Sequence, residues 1–136
     1  MDKAYSYMDF NDLKDFQAAH EKWLEHNFPG QTAHQGLLGI IEEVGELSHA
    51  HLKYEQGIRR YTDANKYEQD SMDAIGDIMV YIASYCNTNG LDMAACLQMA
   101  WGEVKDRDWQ KYPEAGTPDA EQPEAATPGV SIQGRS

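Results

Sequence analysis

An all-α fold, an antiparallel bundle of about four helices, is predicted by three features of this 136-residue chain. Apolar residues recur at helical spacing through four separate stretches, and cap and stop residues bracket those stretches. No stretch alternates convincingly with the period of a strand. Ile78 to Ile82 passes locally for one, but the length of its surroundings and the spacing of its acids favour helix.

The elements follow in order. An aromatic lead-in carries Tyr5, Tyr7, Met8 and Phe10. Asn11 and Asp12 can cap a first helix, patterned by Leu13, Phe16, Trp23 and Leu24 and ended by Phe28-Pro29-Gly30. Thr32 with Gln35 three residues later fits a capping box, opening a second helix to about Lys53. Leu37, Ile40, Val44, Leu47 and His51 line one stripe of it, the expected core face. Gln56 to Tyr61 reads as a connection, with Gly57 as the helix stop. A third helix starts near Asp63–Lys66 and runs to Asn89-Gly90, its apolar face made by Met72, Ile75, Met79, Ile82 and Tyr85 or Cys86. A fourth, from about Leu91 to Tyr112, carries Cys96, Leu97, Ala100, Trp101 and Val104. Beyond Pro113 large apolar side chains almost vanish, so one domain over 1–112 and a disordered tail over 113–136 are expected.

A formal net charge of −12 argues against nucleic acid as a partner, because phosphate backbones require a basic surface. It leaves room for a small phosphorylated substrate if metal ions screen the carboxylates. There is no apolar run long enough for a bilayer and no leader pattern at Met1-Asp2-Lys3, so a cytoplasmic protein without a membrane partner is expected. Cys86 and Cys96 lack metal-finger spacing and read as buried free thiols.

The chemistry lies in two acidic stretches. Glu42, Glu43 and Glu46 flank the apolar stripe of the second helix, and Asp70, Asp73 and Asp77 share a face of the third. Carboxylates beside a buried face cost free energy unless they are paired or bind a cation. Two such helices packed antiparallel can direct four carboxylates at hard cations such as Mg²⁺. The spacing alone is also that of many solvated helix faces. Glu46-x-x-His49 is one half of a di-iron carboxylate motif, but no second Glu-x-x-His follows, and His20, His26 and His34 lack ligand spacing. No glycine-rich phosphate loop of the Walker type is present.

Gly39-Ile40-Ile41-Glu42-Glu43-Val44-Gly45-Glu46-Leu47-Ser48-His49-Ala50, Leu52-Lys53, and Asp73-Ala74-Ile75-Gly76-Asp77-Ile78-Met79-Val80-Tyr81 together resemble the MazG-like family of all-α nucleotide pyrophosphohydrolases. That family carries Glu-x-x-Glu on one helix and Glu-x-x-Asp on the next. Glu43 and Glu46 match the first pair and Asp77 the final acid. Phe16-Gln17 with Trp23 and Phe28, and Val104 to Trp109, extend the resemblance over about residues 10–112. Ala74 departs from it, standing where the pattern has glutamate; Asp73, one residue earlier, offers a shorter arm from the same face.

The resemblance implies hydrolysis of a (deoxy)nucleoside triphosphate to the monophosphate and pyrophosphate, with Mg²⁺, or Mn²⁺ in its place. It points to Glu43, Glu46 and Asp77 as metal ligands, with Asp73 taking the place of the absent glutamate, and Glu42 or Glu43 is available to the attacking water. Lys53, Lys105 and Arg107, with Arg59 or Arg60, are candidates for the phosphates, and Trp23 for the base; each also reads as core or as a solvated face. A homodimer or homotetramer is implied as well. Three rival readings stand beside this one: phosphoribosyl-ATP hydrolysis, a non-catalytic nucleotide-binding member, and a helical interaction module.

Overall fold

The computed structural model describes residues 12–118. The aromatic lead-in and residues 119–136 of the expected tail lie outside that range. Four helices are present, with no strand among the described residues: α1 (Leu13–Asn27), α2 (Ala33–Gln56), α3 (Ala64–Asn89) and α4 (Met93–Val104). No described helix is long and apolar enough to cross a membrane.

The helix ends are local chemistry. Asp12 accepts from the Asp15 N–H at 2.9 Å and starts α1. Thr32 and Gln35 form the reciprocal capping box that starts α2, with bonds of 3.0 and 3.3 Å. Asp63 caps α3, and Asp92 accepts from the N–H groups of Ala94 and Ala95 at the start of α4. Gly57 and Gly90 end α2 and α3 at φ of 64° and 65°, left-handed values that glycine adopts without strain.

The chain divides after Met99 into two compact units. In the first unit α3 is the central element, packed by α2 and by α1. α2 and α3 run antiparallel and approach closely because their facing residues are small. A Cβ on Gly36 would meet the Tyr85 backbone nitrogen at 3.2 Å, and one on Gly39 would overlap the Tyr81 ring. Ala50, Ala74 and Ser84 are buried. At the far end of the pair, Tyr54 stacks on Tyr67 with centroids 4.4 Å apart. The α1 end is closed by Ala83, Cys86 and Met93, against which Leu13 and Phe16 pack.

This corrects the expected core. Leu37, Val44, Met72, Ile75 and Met79 are each 44–48% exposed, so these members of the expected stripes face outward on the single chain, while Ile40, Leu47 and Tyr85 are half-buried and Cys86 is buried. The small-residue faces win the contact, because two backbones can approach there without side chains between them. Cys96 is exposed rather than buried, whereas Cys86 is buried as expected.

α4 ends at Val104, well short of Tyr112. Asp108 turns its side chain onto the N–H groups of Gln110 and Lys111, at 3.1 and 3.0 Å, and thereby competes with helix continuation. The second unit continues through turns to residue 118, past the expected boundary at 112. Gly116, at φ 77°, accepts from the Asp108 N–H at 2.9 Å and donates to the Tyr112 carbonyl at 2.7 Å.

The two kinds of helical glycine give opposite expectations. Gly36→Val should lower stability by about 1–3 kcal/mol, the usual penalty of overpacking. Gly45, where an added Cβ meets nothing within 4 Å, should gain about 0.5–1 kcal/mol as alanine. Urea unfolding midpoints of the two variants check this.

Candidate functional site

The antiparallel pairing of α2 and α3 carries the acids of both helices to one place. Gly39 lies against Tyr81, and one turn further along α2, Glu43 comes under the influence of Asp77, one turn back along α3. Both acids are half-buried, while Glu42, Glu46 and Asp73 are exposed. Burial raises the Glu43 pKa most, and the charges of Asp77, Glu42, Glu46 and Asp73 raise it further. Proton affinity at Glu43 thus records the field of four other carboxylates from two helices.

No cation of the chain answers that field among the described residues. The ion pairs there are Lys14–Asp92, His51–Glu55 and Lys66–Asp70. The five carboxylates offer only hard oxygen donors, which suits Mg²⁺ or Mn²⁺. Among the described residues no three His, Cys, Asp or Glu side chains are gathered to ligand distance. Ala74 is buried in the helix pair with 4% exposed, so the position where the family pattern has glutamate is a packing position here.

Asp70 is occupied elsewhere. Its Oδ2 accepts from the Tyr61 hydroxyl at 2.6 Å and from Lys66 Nζ at 2.7 Å, and those hydrogen bonds, that of Lys66 foremost, lower its pKa. Tyr61 is buried, so Asp70 ties the α2–α3 connection to α3. Two histidines of α2, His49 and His51, are engaged in the same region. His49 packs edge-on against Tyr61, and His51 Nδ1 lies 3.1 Å from the Tyr67 hydroxyl.

Glu43 and Asp77 form one part of the wall of a cleft of about 820 Å³. Trp23 and Phe28 form another, with ring centroids 5.7 Å apart and half their surfaces exposed. Trp23 is therefore not core. Tyr81, Ser84 and Gln35 contribute to the same wall, and Gln31 Nε2 donates to Ser84 Oγ.

The cleft does not gather every candidate. Glu42, Glu46 and Asp73 stand outside its wall. Lys53 is also outside, its Nζ donating to Gln56 Oε1 at 3.1 Å. Arg59 and Arg60 stand exposed in the connection, with φ of 56° and 69°. Lys105 and Arg107 belong to the second unit, where the Arg107 guanidinium lies over the Trp109 ring at 5.9 Å.

Sequence reasoning missed His20, Tyr81 and Ser84 as cleft residues. The available signal was Gly36 with Gly39: two glycines one turn apart inside a helix mark a close approach, and the close neighbours are Ser84, Tyr85 and Tyr81.

Compared with protein-family models, with curated proteins and with solved structures, the chain matches none.

The Asp70 arrangement has a pH signature. A carboxylate with a lowered folded-state pKa contributes stability above its ordinary range and loses it as pH falls through the lowered value. Asp70→Asn should therefore melt below wild type at pH 7. The gap should close as pH falls below the ordinary carboxylate range, read from paired thermal melts.

Proposed function

We propose that the chain hydrolyses a (deoxy)nucleoside triphosphate to the monophosphate and pyrophosphate, with Mg²⁺ held by Glu43, Glu46, Asp73 and Asp77. One observation carries this reading: a single cleft has carboxylates of two helices in one part of its wall and exposed aromatic rings in another. The first suits a cation-bound polyphosphate and the second a flat base. The resemblance of both acidic stretches to the MazG-like family supports it. When bound, Mg²⁺ supplies neutralisation of phosphate charge and acidification of water.

The residues divide the remaining work. Trp23 and Phe28 hold the base and exclude water from one of its faces. Glu42, exposed beside the cleft residue Glu43, or Glu43 itself takes a proton from the attacking water. Lys53, on α2 of the same unit, meets the outer phosphates. Cations are required there because the cleft wall contains no Lys or Arg among the described residues.

The working form proposed is a homodimer or homotetramer. Leu37, Ile41, Val44, Ile75 and Met79 leave apolar surface open along α2 and α3, and a second copy would cover it. Light scattering at micromolar concentration should return a mass of two or four chains.

Ala74 favours a second reading, a non-catalytic nucleotide-binding protein, because a buried alanine leaves Asp77 without the usual partner acid. A panel of nucleoside triphosphates with Mg²⁺, scored for pyrophosphate against orthophosphate, separates the two. Pyrophosphate from at least one nucleotide, reduced about 100-fold or more in Asp77→Asn, is expected for the enzyme. No product from any nucleotide, with melting still raised by nucleotide, would establish the binding protein.

A further inference from the structure

His20 lies in the middle of α1 with 6% of its surface exposed, and its ring is part of the cleft wall. Its protonation can be read from a hydrogen-bond chain anchored on backbone groups. The Met93 N–H donates to Gln17 Oε1 at 2.8 Å, so Gln17 Nε2 must be the donor of that side chain. It donates to the Leu91 carbonyl at 2.6 Å and to Asn87 Oδ1 at 2.9 Å. The Asn87 amide is thereby oriented: its Nδ2 donates to the Gln17 carbonyl and to His20 Nδ1, each at 3.2 Å.

An imidazole nitrogen that accepts a hydrogen bond carries no proton, so neutral His20 bears its hydrogen on Nε2. Protonation of Nδ1 would set two donors against each other, and burial also lowers the His20 pKa. Phe16 meets the ring edge-on at 6.2 Å and Trp23 meets it at 5.7 Å, so its plane is held. Nε2 has no hydrogen-bond partner among the described residues, yet it is not a sealed orphan, since Ser71 Oγ is the buried side-chain atom of that kind among them. His20 lines the cleft, and its ring lies beside that of Trp23.

We infer that His20 is a fixed, neutral hydrogen-bond donor that selects the nucleotide by its base, donating Nε2–H to a carbonyl oxygen or ring nitrogen on the base edge. This rests on the reading of the cleft as a nucleoside triphosphate site and names what that site reads. Trp23 beside the ring places the donor with the aromatic part of the wall rather than with the carboxylates. A donor that cannot exchange roles favours a base presenting an acceptor there and disfavours one presenting an amino group.

The test uses the full chain with Mg²⁺ and the best nucleoside triphosphate of the panel. His20→Asn keeps an acceptor for Asn87 and deletes the donor, whereas His20→Gln restores an amide N–H near the Nε2 position. The expected result is a KM about tenfold higher in His20→Asn, with kcat and melting temperature near wild type and partial recovery in His20→Gln. The inhibition constant of inorganic tripolyphosphate, which has no base, should be equal in all three proteins. Histidine ¹⁵N NMR of the unmutated chain should show the Nε2–H tautomer at pH 7, with that resonance shifting when nucleotide is added. An unchanged KM in His20→Asn, an equal loss of tripolyphosphate affinity, or an Nδ1–H tautomer would overturn the inference while leaving the hydrolase standing. Absence of hydrolysis and binding for every nucleotide in wild type would overturn both.

Discussion

The close approach of α2 and α3 is the constraint on which the rest of the first unit depends. Gly36 and Gly39 bring the backbone of α2 against Tyr85 and the Tyr81 ring, and Ala50, Ala74 and Ser84 are buried. Small residues gain little from burial of apolar area, since each removes few methylene groups from water. What they permit is proximity, so dispersion contacts run backbone to backbone and the helices keep one register. That register sets Glu43 beside Asp77 and opens the cleft wall at Tyr81 and Ser84.

Holding like charges together opposes that packing. Glu43 binds its proton more tightly than an ordinary glutamate because it is partly desolvated and because four carboxylates surround it. A protein maximising stability alone would place lysines or neutral residues there, as it does at Asp70, where Lys66 and Tyr61 satisfy the charge. Two acids three residues apart on one helix, Asp70 and Asp73, thus have opposite environments. Asp70 is hydrogen-bonded within the chain, whereas Asp73 is exposed to water.

At the opposite end, rigidity comes from polar bonds. Gln17 joins α1 to Leu91 between α3 and α4 and to Met93 at the start of α4, and through Asn87 it orients His20. Each group in the chain has a defined role because its ends are backbone atoms that can only donate or only accept. A network of this kind specifies one geometry at the cleft wall where apolar packing alone would leave the imidazole free to exchange roles.

The sequence by itself determined what depends on neighbours within a turn or two. The all-α class, the capping box at Thr32 and Gln35, the stops at Gly57 and Gly90, and the acidic faces carrying Glu43, Glu46, Asp73 and Asp77 were all legible, because caps and helical faces are short-range properties. The tertiary structure decided which face of each helix is covered. Apolar periodicity pointed to Leu37, Val44, Ile75 and Met79 as core, but these four face outward and the glycine and alanine faces meet instead. Periodicity reports that a face is apolar; it does not say what approaches it. Only the packing of α1 on α3 put Trp23, Phe28 and His20 into one cleft with Glu43 and Asp77, since no local rule relates a residue of α1 to partners so distant in the chain.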